Sequence, residues 1–299
     1  MVALRRLYIG SGHQLLSRNH GRAFPLRRFH WRNPGVLHLA LRRATPLSSC
    51  SCSIPPFSPA CYSIRSVASS ILLEISVEMA GAAVAAERGG AQRVELCAQL
   101  RAGGLTPNEE LMRLVRESVH VPIFAMIRPR AGDFVYSLEE LAQMRRDIGA
   151  AQRLGMDGIV LGVLTQDRKV NIEPTRELVI AAQPLPVTFH RAFDDVADMD
   201  AALDDVIETG AARILTSGGA ATAPAGIEKL ACLVAAAKER VIILPGGGIN
   251  ASNALHVARQ SRAREIHSGL GSVLEYGQDD YALFESEVRK MAEQLASVV

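Results

Sequence analysis

Acidic residues are absent from the first 73 positions of the 299-residue chain, where the first carboxylate is Glu74. The same stretch also lacks lysine, but it holds ten arginines. The remainder therefore holds 23 basic residues against all 31 acidic ones, a net charge of −8. Because nucleic-acid binding needs a basic face, this acidic balance argues against a nucleic-acid partner for the main part of the chain.

Long hydrophobic runs and a cysteine framework are absent as well. No stretch approaches the roughly 18 or more apolar residues that a membrane-spanning helix needs, so we expect no membrane partner. Five cysteines are present, and only Cys97 and Cys232 follow residue 70. Two cysteines so far apart do not form a disulfide framework, which indicates a reducing compartment.

The N-terminal stretch is rich in arginine and serine and free of acids, a composition typical of organelle transit peptides. We therefore predict that residues 1–70 form a disordered leader, addressed to a mitochondrion or plastid, and that residues 71–299 form the folded domain. A disordered extension without a targeting role is the alternative that composition leaves open.

From Leu72 onward, one pattern occurs eight times: a short run rich in valine and isoleucine, a polar turn, and an amphipathic helical stretch. Eight consecutive βα units predict an α/β fold of the TIM (β/α)8 barrel type. An open doubly wound sheet would need a glycine-rich fingerprint after its first strand, and the SVEMAGAAV turn has none. Capping boxes are predicted at Thr106 to Glu109 and at Ser137 to Glu140.

Functional side chains of such a barrel lie at the carboxyl ends of its strands, and polar residues of this chain concentrate there. Each one alone also fits a structural ion pair, so the prediction depends on their convergence on one cavity. Glu95 and His190 are the candidate acid–base groups because both residue types can move protons near neutral pH when buried. The other candidate catalytic residues are Arg128, Arg130, Asp133 and Asp194.

Two glycine-rich turns, TSGG and PGGG, follow the sixth and seventh predicted strands. Late loops of these barrels often bind a phosphate through backbone N–H groups, although glycines also simply permit tight turns. The predicted anion-binding residues are Thr216, Ser217, Gly218, Gly246, Gly247 and Gly248. The chain lacks a nucleophile elbow, an HExxH motif and a Walker motif, so these residues leave the reaction class open.

Several motifs between Leu72 and Ser268 together resemble the CutC copper homeostasis family: VELC, GGLTP, IRPRAGDF, PVTFHRAFD, ILTSG, PGGGI and EIHS, in that order. The resemblance implies a TIM barrel that is cytosolic and homo-oligomeric and that binds Cu(I). It also implies an alternative, since the barrel mouth resembles an active site: an enzyme acting on a small phosphorylated or carboxylated metabolite.

The resemblance also bears on the metal ligands. In animal members the proposed Cu(I) ligands are cysteines on the first two strands; the second matches Cys97, and the first falls at Ser76. A hydroxyl is a poor ligand for Cu(I), which prefers soft sulfur donors. The predicted metal ligands are therefore Cys97 with His190, with His267, or with a methionine such as Met126. The loop after EIHSG is also shorter than is common in the family.

Overall fold

The computed structural model describes residues 71–270 and 281–297. The predicted leader, residues 1–70, and most of the shortened loop after EIHSG, residues 271–280, lie outside the described residues. The strands are β1 (Leu72–Val77), β2 (Arg93–Leu96), β3 (Ile123–Met126), β4 (Gly158–Leu161), β5 (Val187–Phe189), β6 (Arg213–Thr216), β7 (Ile242–Pro245) and β8 (Glu265–Ser268). The helices are α1 (Ala80–Arg88), α2 (Glu109–Ser118), α3 (Leu138–Arg153), α4 (Ile172–Ala182), α5 (Met199–Thr209), α6 (Ile227–Ala237), α7 (Ala254–Ser261) and α8 (Ala282–Ala296).

The strands form one parallel sheet in the order β7-β6-β5-β4-β3-β2-β1-β8. Because β7 also packs beside β8, the sheet curls into a nearly closed barrel with the helices outside it. The predicted (β/α)8 barrel is therefore confirmed. No helix within the described ranges is both long enough and apolar enough to cross a membrane.

The core has two parts, which follow from the alternation of side chains along each strand. Outward-facing residues such as Leu73, Ile75 and Val94 are completely buried in the larger cluster, which includes the apolar faces of the helices. A second, smaller cluster contains Cys97, Phe124, Met126 and Val160. Strand residues of the opposite parity therefore fill the barrel interior.

One of the two predicted helix starts is confirmed. Ser137 and Glu140 form the capping box at the start of α3, each side chain accepting a hydrogen bond from the other residue's backbone N–H. The other prediction is wrong, since α2 is capped by Asn108, whose side chain accepts from the N–H of Leu111. Thr106 cannot take that role because its hydroxyl accepts from the backbone N–H of Arg128 at 2.9 Å.

Charged side chains fill the amino-terminal half of the barrel interior. The guanidinium of Arg93 donates to Glu74 and, at 2.6 Å, to Glu265, which also accepts from Arg213 at 2.9 Å. The ring of Phe124 lies 4.8 Å from the guanidinium carbon of Arg93 and 5.2 Å from that of Arg213. Two acids and two arginines thus neutralise one another in a region that water does not solvate. Buried charges require such pairing.

This network generates a stability prediction. Replacing Arg93 with methionine leaves the buried carboxylates of Glu74 and Glu265 short of a cation, so the free energy of unfolding should fall by about 3–5 kcal/mol. The matched control is Arg264→Met, which removes an ion pair with Glu239 in which both side chains are 76% exposed, and it should cost about 1 kcal/mol or less. Urea unfolding of the two variants measures both values, and equal losses would contradict the assignment.

Candidate functional site

A cavity of about 280 Å³ opens at the carboxyl ends of the strands. Among the residues that line it are the five whose convergence the sequence predicts: Glu95, Cys97, Arg128, His190 and His267. They come from β2, β3, β5 and β8 or from the residue or two that follow those strands. The structure thus brings these side chains to one cavity, while their chemical roles there stay predictions.

Strand alternation explains why these side chains point inward. Glu95 and Cys97 are two residues apart on β2 and its extension, and Glu74 and Ser76 share the corresponding parity on β1. In the parallel register Glu74 pairs with His267, and Ser76 pairs with Glu95. Neighbouring strands thereby stack their polar residues inside the barrel, from the Arg93 network up to the cavity.

Glu74 connects the charged network to the cavity. Its Oε1 lies 2.7 Å from Nδ1 of His267, and its Oε2 accepts from Arg93. Burial disfavours the charged carboxylate, but the positive charge of Arg93 and the hydrogen bond with His267 outweigh it and lower the pKa of Glu74 to about 2. Glu74 is therefore ionised, and it fixes the orientation of the His267 ring.

His267 lies between two carboxylates. Its Nε2 is 3.9 Å from Oε2 of Glu95, on the opposite side of the ring from Glu74. Burial alone would lower the pKa of His267, but the negative charges of Glu95 and Glu74 outweigh burial and raise it. The ring therefore holds its proton more firmly than an ordinary histidine does.

Glu95 differs from Glu74 in lacking an arginine partner. Burial raises its pKa, and the attraction of His267 opposes that rise only in part. Its Oε1 is buried and has no hydrogen-bond partner, whereas Oε2 accepts from the thiol of Cys97 at 3.4 Å. Burial, together with the neighbouring Glu95, raises the pKa of Cys97 well above its usual value, so the thiol is protonated at neutral pH.

The pKa of His190 is shifted in the opposite direction to that of His267. Its Nδ1 accepts from the backbone N–H of Ala192 at 3.2 Å, which places the proton on Nε2, and Nε2 is buried without a partner. Burial and the nearby charge of Arg128 lower its pKa to about 3. His190 is therefore a neutral hydrogen-bond donor toward the cavity, and this tautomer does not suit the predicted role of metal ligand through Nε2.

The two arginines of the IRPR motif separate. Arg128 is buried, lines the cavity, and donates to the carbonyl oxygens of Ala102, Gly104 and Gly132, so it holds two loops together. Arg130 instead lies at the rim, paired with Glu140 and with the exposed Asp133. Neither Arg130 nor Asp133 lines the cavity, because Arg130 is held at the rim by its ion pairs with Asp133 and Glu140.

The TSGG turn is already occupied by a carboxylate of the chain itself. Asp194 accepts from the backbone N–H groups of Ser217 and Gly219 and from the hydroxyl of Thr216, and the N–H of Gly218 donates to Thr216 Oγ1. The donors of this turn are thus used internally, which leaves none for the predicted anion. The role that the structure gives Asp194 is to order this loop.

The PGGG turn remains available. The N–H of Gly246 donates to the carbonyl of Thr216, but those of Gly247 and Gly248 have no partner among the described residues. Both residues have positive φ values and line the cavity, beside the guanidinium of Arg191. Arg191 is held by Asp194 and Ser217. Arg191 has no predicted role from the sequence, although its position directly after His190 is a usable signal.

Cys97, His190 and His267 do not together form a group of closely spaced ligand atoms, while the predicted pairs that include Cys97 stay predictions. Within the described ranges, the histidine, cysteine and acidic residues whose ligand atoms lie within 4.8 Å of one another are Glu74, Glu95 and His267. Cys97 and His190 are outside this group, although both line the cavity. Glu74 was missed as a site residue. The available signal was an acid in the middle of an apolar strand, with the same parity as Ser76.

Comparison with known proteins places these residues in a family. The family model described as the CutC family matches residues 71–272. A protein of Xylella fastidiosa named as a family protein CutC is 46% identical over 202 residues, which cover 68% of this chain and 76% of that protein. The human protein named copper homeostasis protein cutC homolog is 43% identical over 210 residues, covering 70% of this chain and 77% of that one.

Solved structures agree with the sequence matches. A crystal structure described as a proposed copper homeostasis protein CutC of Streptococcus agalactiae has a TM-score of 0.64 and 33% identity, covering 66% of this chain and 98% of that one. Thiamine phosphate pyrophosphorylase of Pyrococcus furiosus reaches a TM-score of 0.52 at 16% identity, covering 77% and 98% of the two chains. The latter likeness shows the barrel fold alone.

The opposite environments of the two cavity histidines can be tested by NMR. Across about pH 5–8, the ¹⁵N signals of His190 should remain those of a neutral ring protonated at Nε2, because its pKa is about 3. His267 should keep its second proton above the ordinary pKa of 6.5, and Glu74→Gln should lower its pKa by removing one of its carboxylates. Signals are assigned with His190→Asn and His267→Asn. A His190 signal that titrates near its ordinary pKa would contradict this description.

Proposed function

The chain belongs to the CutC family, and we propose from this that it acts in copper homeostasis, with Cu(I) as the cargo bound in the cavity. The observation that supports a Cu(I) site is the pairing of two sulfur side chains. A Cβ atom on Gly104 would lie 3.1 Å from Sγ of Cys97 and 3.4 Å from Cε of Met126. Cys97 and Met126 therefore lie side by side at the cavity wall.

Thiolate and thioether are the soft donors that Cu(I) prefers. In this arrangement Cys97 supplies the thiolate, and Met126 takes the place of the second cysteine that Ser76 does not provide. Because the pKa of Cys97 is raised, binding of Cu(I) must release the thiol proton. His190 is a hydrogen-bond donor at the opposite wall rather than a third ligand.

A Cu(I) titration against a chromogenic chelator tests this proposal. The reference is the reduced full chain with Cys50, Cys52 and Cys61 replaced by serine, so that the thiols of the N-terminal stretch cannot compete. Cys97→Ser should lose tight binding, and Met126→Leu should weaken it while preserving the volume of the side chain. Cys232→Ser is the matched control, because Cys232 is an exposed thiol on α6. Cu(I) affinity unchanged by Cys97→Ser would contradict the proposal.

A second candidate function is an enzyme acting on a small phosphorylated or carboxylated metabolite. It is favoured by two residues that line the cavity and each carry a buried polar atom without a hydrogen-bond partner: Glu95, through Oε1, and His190, through Nε2. The unpartnered N–H groups of Gly247 and Gly248, beside Arg191, supply an anion-binding site at the mouth. In such a reaction Glu95 moves a proton and the Nε2–H of His190 stabilises a developing negative oxygen.

Inorganic phosphate is the probe for that anion site. Phosphate should raise the unfolding temperature of the full chain, since a ligand that binds the folded state stabilises it. Arg191→Met should weaken phosphate binding by about 10- to 100-fold through the loss of a charged hydrogen-bond donor. The matched control, Arg130→Met, removes a rim arginine that does not line the cavity, and should leave phosphate binding unchanged. Absence of stabilisation, or equal effects of both variants, would contradict this second function.

Two further proposals depend on the family and on composition. Homo-oligomerisation is supported by the family resemblance. Delivery to a mitochondrion or plastid is supported by the acid-free, arginine-rich residues 1–70, whereas the family resemblance supports the cytosol. The mass of the mature N-terminus isolated from cells distinguishes a cleaved leader from a retained one.

A further inference from the structure

The floor of the cavity contains an arrangement that Cu(I) binding at Cys97 does not use. The ligand atoms of Glu74, Glu95 and His267 lie within 4.8 Å of one another, and all three residues are buried. Glu95 and His267 also line the cavity, so this group lies between the charged barrel interior and the open mouth. The three side chains come from β1, β2 and β8.

The His267 ring is oriented as in many metal sites. Its Nδ1 lies 2.7 Å from Oε1 of Glu74, which leaves Nε2 directed toward Glu95. Carboxylates hold metal-binding histidines in this way, fixing the ring and leaving the other nitrogen for the ion. Glu74 is itself held by Arg93, so the orientation of His267 is rigidly supported.

The gap between His267 and Glu95 has the width of a bridging ion. Nε2 and Oε2 are 3.9 Å apart, which is too long for a hydrogen bond. Bonds from one zinc ion to nitrogen and to carboxylate oxygen are each about 2.0–2.2 Å, so both atoms can bind a single ion placed between them.

One oxygen of the buried Glu95 carboxylate has no partner. Its side chain is only 4% exposed, and Oε1 has no hydrogen-bond partner. The guanidinium of Arg93 donates to Glu74 and Glu265 rather than to Glu95. An unpaired carboxylate oxygen in a buried position is costly, and a cation bound to the Glu95 carboxylate would offset that cost.

We propose that Glu95 and His267 bind a divalent transition-metal ion at the cavity floor. Glu74 is a positioning residue that orients His267, and the remaining coordination positions face the cavity. The thiol of Cys97, 3.4 Å from Oε2 of Glu95, is close enough to serve as a third ligand after a small shift. One carboxylate and one imidazole suit a borderline divalent ion such as Zn²⁺, whereas Cu(I) requires softer donors. Cu²⁺ would bind the same donors, and Zn²⁺ is the cleaner probe because it has no redox chemistry.

Zinc binding to the metal-stripped full chain tests the proposal, again with the three N-terminal cysteines replaced by serine. Calorimetry should give one Zn²⁺ per chain, lost in Glu95→Gln and in His267→Asn. Glu74→Gln should keep the stoichiometry but weaken binding by about 10- to 100-fold, the usual cost of losing a carboxylate that orients a ligand. The matched control is Asp133→Asn, which alters an exposed rim carboxylate and should leave binding unchanged.

Cobalt substitution supplies a second measurement, whose main result needs only the reference chain with the three N-terminal cysteines replaced by serine. Co²⁺ bound to this reference chain should show the intense visible bands of a protein-bound ion of low coordination number. A thiolate charge-transfer band that disappears in Cys97→Ser would identify the third ligand. The proposal would be overturned if Glu95→Gln bound zinc as tightly as the reference chain, or if the reference chain bound no zinc. A Co²⁺ spectrum like that of the hydrated ion would also overturn it.

The two metal proposals fail independently. Cys97→Ser should lose tight Cu(I) binding and still bind zinc through Glu95 and His267. Glu95→Gln should lose zinc and still bind Cu(I) through Cys97 and Met126. If only one of these two expected results is not observed, the site that it tests is the one that is wrong.

Discussion

Ionised side chains inside the barrel must be paired, because water cannot reach them, and this constraint organises the whole interior. Arg93 and Arg213 neutralise Glu74 and Glu265 below the cavity. Glu74 is the branch point, since one oxygen accepts from Arg93 and the other lies against His267. The amino-terminal part of the interior is therefore an ion network in which each charged side chain has an opposite charge beside it, and Glu74 connects this network to the cavity.

Glu95 is not paired in this way, and the chemistry of the cavity follows from the difference between Glu74 and Glu95. Glu74 has an arginine and a histidine beside it, so its pKa is about 2. Glu95 has only His267 at 3.9 Å and the thiol of Cys97, so burial dominates and raises its pKa. Among the residues that line the cavity, Oε1 of Glu95, Nε of Arg128 and Nε2 of His190 are buried without a hydrogen-bond partner. Cys97 and Met126 line the same cavity and belong to the same small cluster of buried side chains.

The eightfold βα repeat in the sequence was sufficient to predict the barrel. It also predicted that the site lies at the carboxyl ends of the strands. Eight valine- and isoleucine-rich runs gave the strands, and alternation within each run gave the inward-facing set, so Glu95, Cys97 and His267 could be placed together. Beyond the ends of the strands alternation is a weaker guide: Arg128 still lines the cavity, whereas Arg130 and Asp133, predicted as catalytic, lie on the rim. The pairing of Asp194 with the TSGG turn and that of Glu74 with His267, 193 residues apart, depend on contacts between distant segments. Local pattern cannot reveal such contacts. The glycines of TSGG were read as an anion site because the sequence does not show that the carboxylate of Asp194 already fills it.

The central claim is that the unpaired groups at the carboxyl ends of the strands form a metal-binding cavity. Crystals of the full chain soaked separately with Zn²⁺ and with Cu(I), measured at the absorption edge of each metal, test it most directly. The account predicts an anomalous zinc peak between Nε2 of His267 and the carboxylate of Glu95, and a copper peak bonded to Sγ of Cys97. Anomalous peaks only outside the cavity, at both edges, would contradict the account.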